Sequence, residues 1–102
     1  MTGSIRLLVV DDHLIVREGL CAMLEMREGL IIAGKAADGV EAVEQALVLR
    51  PDVILMDLQM PRKDGISAIH DIIAQWPEAR ILVLSSFSEE VQIVESMRAG
   101  AL

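Results

Sequence analysis

A chain of 102 residues suits one domain built around a single core. Apolar residues make up 53% of it, and the net charge of −7 argues against direct nucleic-acid binding, because phosphate contacts require clustered Lys and Arg. The only cysteine, Cys21, excludes an internal disulfide and suits a reducing, cytoplasmic compartment. The first residues carry neither a basic segment nor a long apolar stretch, so we expect no signal peptide and no membrane span.

Four units of a strand followed by a helix are predicted in chain order. Apolar runs without polar alternation indicate strands that are covered on both faces. Helical spacing, capping residues and the prolines at positions 51 and 77 set the helix bounds. The predicted strands are 5–10, 30–34, 52–56 and 81–84, and the predicted helices are 13–27, 38–49, 64–75 and about 88–99. Successive βα units predict an α/β fold with a parallel sheet and right-handed crossovers.

Acidic residues follow two of these strands. Asp11 and Asp12 close the first run, and Asp57 closes the third. The carboxyl edge of a parallel sheet is where ligands bind, so the three carboxylates are expected to meet there. Two unit charges about 4 Å apart repel by roughly 4 kcal/mol at an effective dielectric near 20, and a shared proton or a cation would relieve this. Taken alone, Asp11 and Asp12 could instead cap the first helix.

Three motifs at strand ends carry a family resemblance. They are Leu8-Val9-Val10-Asp11-Asp12-His13, Asp57-Leu58-Gln59-Met60-Pro61 with Asp64-Gly65 beyond it, and Val83-Leu84-Ser85. In this order the chain resembles the receiver domain of a bacterial two-component response regulator over nearly all its length. Residues 10–20 further resemble the subfamily with a LuxR-type helix-turn-helix output domain. The resemblance implies a three-layer flavodoxin-like fold with strand order 2-1-3-4-(5).

The resemblance also implies the role of each site residue. Asp57 would accept a phosphoryl group from a histidine kinase, and Asp12 would bind Mg²⁺ directly. Asp11 would act on the metal largely through water, and the backbone carbonyl of Gln59 would complete the protein ligands. Ser85 would contact the phosphoryl group and act as the switch residue. The chain would then be a phosphoacceptor signalling domain that assists its own phosphorylation, and not an enzyme acting on other substrates.

The chain departs from the receiver pattern after its fourth unit. A receiver continues into a fifth strand, which ends in a Lys that contacts the phosphoryl group, and a fifth helix. Residues 1–102 are therefore expected to form a receiver domain that lacks both elements, with the output domain outside this sequence. Lys35 and Lys63 cannot take the place of that Lys. Lys35 falls in or beside the second strand, which the implied order places at the far edge of the sheet, and Lys63 lies in the loop after Asp57.

The missing elements would also leave apolar surface uncovered. An unpaired edge at Ile81–Leu84 and an exposed flank of the first helix near Val16, Leu20 and Met23 predict self-association or exchange of segments between chains.

Two other functions stay open. The first is a phosphate-independent receiver that acts only as an interaction or dimerisation module. The second is a metal-dependent phosphohydrolase with an aspartate nucleophile. Such hydrolases place a second acid two residues after the nucleophile, whereas the first-strand acids here are adjacent and position 14 is Leu.

Overall fold

The strands and helices follow the predicted alternation. The computed structural model of the chain describes residues 4–57 and 64–84. Within these residues the elements are β1 (Ile5–Val10), α1 (Leu14–Glu25), β2 (Leu30–Ala36), α2 (Gly39–Leu49), β3 (Val53–Asp57), α3 (Gly65–Gln75) and β4 (Ile81–Leu84). The helix predicted from about residue 88 lies outside the described residues.

The four strands form one parallel sheet in the order β2-β1-β3-β4, which confirms the predicted topology. Successive side chains of a strand point to opposite faces, so each strand contributes to two cores. Leu8, Ile54 and Ile81 are fully buried on the face covered by α2 and α3. Val9 and Leu55 lie on the other face with Cys21 of α1. Burial on both faces explains why the strands lack polar alternation.

Two helices begin at aspartates that cap them. Asp38 accepts a hydrogen bond from the Glu41 backbone N–H at 2.9 Å, and the Glu41 side chain accepts one from the Ala37 N–H at 3.2 Å. Asp64 accepts a bond from the Ser67 N–H at 2.8 Å. These bonds satisfy backbone donors that have no partner inside the helix. The Asp38 cap fixes α2, and the Asp64 cap fixes the start of α3 after the segment that follows Asp57.

Strand β2 is longer than the sequence predicts. It continues past Gly34 to Ala36, because Lys35 pairs with Val9 and Ala36 pairs with Val10. The register shifts between Leu7 and Leu8 of β1, which leaves one extra residue in β2. The predicted strand ends at Gly34, and Gly and Lys are both poor strand formers. Pairing with β1 outweighs that local preference.

Apolar surface is exposed where the sequence predicts it, with one exception. Val16 and Met23 of α1 are 54% and 67% exposed, whereas Leu20 packs partly against the sheet. In the described part of the chain β4 lies at an edge of the sheet, and Leu82 on that strand is 47% exposed. The outer side of α1 is therefore the larger apolar surface of the two.

Candidate functional site

Register in the sheet brings the acidic residues together. Val10 of β1 pairs with Met56 of β3, so Asp11 and Asp57 follow side by side at the carboxyl edge. One carboxylate oxygen from each of Asp11, Asp12 and Asp57 and one ring nitrogen of His13 all lie within 4.8 Å of one another. The predicted gathering of three carboxylates is present. We call these four residues the acidic pocket.

The Asp11 side chain shapes the turn that leads from β1 into α1. Its Oδ1 accepts a hydrogen bond from the His13 backbone N–H at 2.8 Å, and the Asp11 N–H donates to the Ala36 carbonyl at 3.1 Å. The side chain of Asp11 is 14% exposed. Asp11 is thus fixed both by the sheet and by its own turn, which holds its carboxylate at the sheet edge.

Asp12 presents an oxygen that suits a cation. Its Oδ1 is buried and accepts no hydrogen bond from any described residue. His13 Nδ1 lies 3.1 Å from this oxygen, which is within ion-pair distance, and the imidazole ring is largely exposed. A buried carboxylate oxygen without a hydrogen bond is costly. Hard divalent cations such as Mg²⁺ take carboxylate oxygens as ligands, so the donors present here fit that ion.

Repulsion among the three carboxylates also favours a bound cation. Two unit charges 4.8 Å apart repel by about 3.5 kcal/mol at an effective dielectric near 20. Water reduces the repulsion, because the side chains of Asp11 and Asp12 are 14% and 26% exposed. The pocket remains a place where a positive charge lowers the energy of the folded chain.

The alternative that the first two acids cap α1 is not what the structure shows. The N-cap residue of α1 is His13, and its side chain makes no capping hydrogen bond. Asp11 bonds to the His13 N–H in a local turn before the helix begins. Neither acid lies in the first turn of α1.

Two residues that the sequence analysis did not assign to the site hold it in shape. Arg17 Nη1 donates to the backbone carbonyl of Asp11 at 2.8 Å, which ties the first turn of α1 to the acidic pocket. His13 Nδ1 lies 3.2 Å from Asp11 Oδ1 as well as close to Asp12. In the sequence, the only indication that Arg17 contacts the site is its position one helical turn after His13. The Arg17 side chain is only 15% exposed, and its Nε also lies 3.9 Å from Glu18 Oε2.

Other predicted site residues have different outcomes. Gln59, Lys63 and Ser85 lie outside the described residues. Lys35 lies in β2, where its Nζ is 2.9 Å from Glu18 Oε1, and this hydrogen bond raises the pKa of Lys35. The Lys35 ammonium is thus paired with a carboxylate of α1, and Lys35 is not among the residues that form the acidic pocket.

A parallel sheet in the order β2-β1-β3-β4, with acids gathered at its carboxyl edge, is the arrangement that the resemblance to receiver domains implies. Residues 7–102 match the response regulator receiver domain family, and the chain belongs to that family.

Individual relatives agree with this. The chain is 45% identical over 98 residues to the transcriptional regulatory protein LiaR of Bacillus subtilis, covering 96% of this chain and 46% of that protein. It is 41% identical over 99 residues to a protein-glutamate methylesterase/protein-glutamine glutaminase of Anaeromyxobacter dehalogenans, covering 97% of this chain and 28% of that enzyme. The crystal structure of a LuxR-family two-component response regulator from Aurantimonas superposes with a TM-score of 0.92 at 35% identity, over 97% of this chain and 71% of that one.

The match concerns one part of these relatives. The chain spans less than half the length of the two curated relatives. What it shares with a transcriptional regulator and with an enzyme is the receiver domain, which serves more than one kind of output. None of the helices in the described part of the chain combines the length and apolar character that crossing a bilayer requires.

Proposed function

We propose that this receiver domain accepts a phosphoryl group on Asp57 from a phosphohistidine of a partner kinase. A carboxylate oxygen of Asp57 attacks the phosphorus, the phosphorus–nitrogen bond breaks, and the imidazole of the kinase leaves with the electron pair and takes up a proton. The position of Asp57 at the end of β3, beside the acids that follow β1, is the observation that carries the proposal. The acyl phosphate would face solvent at the carboxyl edge of the sheet.

Mg²⁺ is the cofactor that we propose for this transfer. Asp12 and Asp57 would supply carboxylate oxygens, Asp11 would act through water, and Gln59 would supply its backbone carbonyl. The unsatisfied Asp12 oxygen and the oxygen-rich donor set support this assignment. A bound Mg²⁺ would neutralise charge on the carboxylate and on the phosphoryl oxygens. Arg17 would keep the Asp11 backbone in place while the metal binds.

The signal would leave the domain through a structural switch. We propose that Ser85, which follows β4, donates its hydroxyl to the new phosphoryl group and so couples phosphorylation to the surface. The output would be a helix-turn-helix domain that regulates transcription, in a longer cytoplasmic protein. The segment itself would act as a phosphoacceptor and not as an enzyme on other substrates.

A small-phosphodonor experiment tests the proposal. The chain is incubated with Mg²⁺ and acetyl phosphate or phosphoramidate, and the intact mass is measured. We expect the mass of one phosphoryl group to be added in the wild type and in Glu78→Gln, a control that removes an exposed carboxylate at the opposite end of the sheet. Asp57→Asn should not be modified, and chelation of Mg²⁺ should abolish the reaction.

The outcomes separate the remaining functions. A wild-type chain that binds Mg²⁺ and is never modified would favour a phosphate-independent interaction module. Equal modification of Asp57→Asn would show that another residue is the acceptor. Loss of Mg²⁺ dependence, with modification retained, would remove the proposed role of the metal.

We also propose that the chain associates with itself. Within the described residues β4 lies at an edge of the sheet, and one side of α1 is exposed and apolar; both observations support this proposal. Light scattering across a range of protein concentrations tests it, and a monomer throughout would refute it.

A further inference from the structure

A histidine adds a different kind of donor atom to the acidic pocket. One donor atom from each of Asp11, Asp12, His13 and Asp57 lies within 4.8 Å of the other three, and the atom from His13 is a ring nitrogen. The chain has two histidines, and the other, His70, is exposed on α3. The pocket therefore presents three hard oxygen donors and one imidazole nitrogen to the same small volume.

The His13 ring contacts the pocket and not the helix that begins beside it. His13 is the N-cap residue of α1, a position where a side chain commonly accepts a hydrogen bond from the first helical turn. Its side chain makes no such bond. Instead, the His13 backbone N–H donates to Asp11 Oδ1 at 2.8 Å, which fixes the residue next to the carboxylates. The ring is thus available to a ligand in the pocket.

The distances around the ring match those between ligands of one ion. His13 Nδ1 lies 3.2 Å from Asp11 Oδ1, at hydrogen-bond distance, and 3.1 Å from Asp12 Oδ1. The second contact is as short as the first, yet Asp12 Oδ1 is buried and has no hydrogen-bond partner among the described residues. Two ligands at neighbouring corners of an octahedron lie about 3.0 Å apart when each bond to the ion is about 2.1 Å long. Both distances from Nδ1 fit that spacing.

The ring can present a lone pair to an ion. A neutral imidazole carries one proton, and with that proton on Nε2 the Nδ1 atom is an acceptor and a metal ligand. The His13 side chain is 70% exposed, so the ring can turn toward an ion without displacing a core residue. The nitrogen is therefore as able to bind a metal as the carboxylates beside it.

We propose that His13 is a metal ligand, through which the acidic pocket binds first-row transition ions such as Ni²⁺ and Co²⁺ and selects them over Mg²⁺. Imidazole nitrogen suits these ions, whereas Mg²⁺ takes oxygen donors and keeps several waters. Around Mg²⁺ a water fills the position that His13 occupies on a transition ion. The inference rests on the metal site proposed for phosphorylation of Asp57, and it adds to that site a residue that sets which ion enters. A transition ion held in this way would displace Mg²⁺ from the pocket.

Calorimetric titration of Ni²⁺ and of Mg²⁺ into the untagged chain measures the role of His13. Carboxylates alone also bind late transition ions, so the informative quantity is the ratio of the two affinities in each variant. His13→Asn replaces the nitrogen donor by an amide oxygen, and it should fold because asparagine is favourable at an N-cap. Ni²⁺ should bind to it at least about tenfold more weakly, since losing a residue that only orients a ligand already costs that much. The affinity for Mg²⁺ should stay within about threefold of the wild type.

A spectroscopic signature separates ligation from an indirect effect. With Co²⁺ bound, the ring N–H of a ligating histidine gives a proton resonance far outside the normal range, and that resonance disappears in D₂O. We expect one such resonance in the wild type and in His70→Asn, and none in His13→Asn. Because His70→Asn removes the other histidine of the chain, it is also the matched control in both titrations, where it should behave as the wild type.

Three results would overturn the inference. Equal weakening of Ni²⁺ and Mg²⁺ in His13→Asn, with no shifted resonance in the wild type, would mean that His13 only shapes the turn after β1. An unchanged affinity for Ni²⁺ would mean that the oxygens hold this ion without the ring. In both cases, Mg²⁺ binding and phosphorylation of Asp57 in the wild type would leave the proposed function standing. A wild type that binds neither ion would remove the proposed metal site itself, and this inference with it.

Discussion

Removing one charge from the acidic pocket should stabilise the chain when no metal is present. Asp12 is the most informative position, because its Oδ1 is buried without a hydrogen bond from the described residues. Asp12→Asn removes its repulsion with Asp11 and Asp57, whose oxygens lie within 4.8 Å. Each pair contributes between about 1 kcal/mol in water and about 3.5 kcal/mol at an effective dielectric of 20. We expect a net gain of about 1–3 kcal/mol in the free energy of unfolding, given the partial exposure of the side chains.

Bound metal should reduce or reverse this difference in stability between the two proteins. Mg²⁺ at a hundred times its dissociation constant stabilises a folded protein by about 2.7 kcal/mol. The wild type should gain that amount, whereas Asp12→Asn should gain little because a ligand has been lost. Urea denaturation with and without Mg²⁺, followed by circular dichroism, measures all four free energies. Glu78→Gln serves as the control, since it removes an exposed carboxylate far from the pocket and should behave as the wild type in both conditions.

Two results would refute the reasoning. A loss of stability in Asp12→Asn without metal would mean that its carboxylate makes favourable contacts that outweigh the repulsion. An equal response of both proteins to Mg²⁺ would mean that the ion binds elsewhere or does not need Asp12. The first result would leave phosphorylation of Asp57 possible, and the second would remove the metal pocket from which the proposed transfer is argued.

Three further predictions concern the fold. Gly34→Ala should lower the free energy of unfolding by about 1–2 kcal/mol, because its Cβ would lie 2.5 Å from Gln45 Oε1 and would displace the side chain that donates to the Lys35 carbonyl. Gly19→Ala, which has open space around it, should instead stabilise the dilute monomer by up to about 1 kcal/mol. Urea denaturation compares the two variants. Asp38→Ala should lower the free energy of unfolding by about 1–2 kcal/mol, because α2 loses its N-cap hydrogen bond. Asp38→Asn should keep most of the wild-type stability, because asparagine also caps helices. Burial raises the pKa of the Cys21 thiol, so the unfolded chain loses this proton at a lower pH than the folded chain, and the free energy of unfolding should fall as the pH rises above about 9. Cys21→Ala, measured by urea denaturation between pH 7 and 10, should lose this pH dependence. An unchanged pH dependence would assign it to another group.

The sequence predicted the sheet because the strands carry a strong local signal. Continuous apolar runs mark strands that are buried on both faces, and four of them alternating with helical patterns admit few topologies. The cap at Asp38 was also readable, since its partner Glu41 lies three residues on. The end of β2 was not readable. Its last two residues are held by pairing with β1 across a register shift, and a neighbouring strand leaves no trace in the local pattern.

The same distinction applies to the acidic pocket. Strand ends that carry acids predict that Asp11, Asp12 and Asp57 meet, because the carboxyl ends of parallel strands share one edge. The contacts of His13 and Arg17 could not be predicted, since they depend on how the turn after β1 folds and on which rotamers it permits. Sequence therefore locates the charges, and only the structure identifies the side chains that hold them.

Arg17 connects the acidic pocket to the first turn of α1. Its guanidinium donates to the Asp11 carbonyl, and its Nε lies 3.9 Å from Glu18 Oε2 on the same helix. A change at the acidic pocket that moves the Asp11 backbone would act on the first turn of the same helix through a 2.8 Å hydrogen bond. Arg17→Lys should therefore weaken the binding of Mg²⁺ to the acidic pocket, because a lysine cannot reproduce the geometry of the guanidinium. Calorimetric titration of Mg²⁺ into the wild type and into Arg17→Lys measures both affinities, and equal affinities would show that the metal site does not need this hydrogen bond.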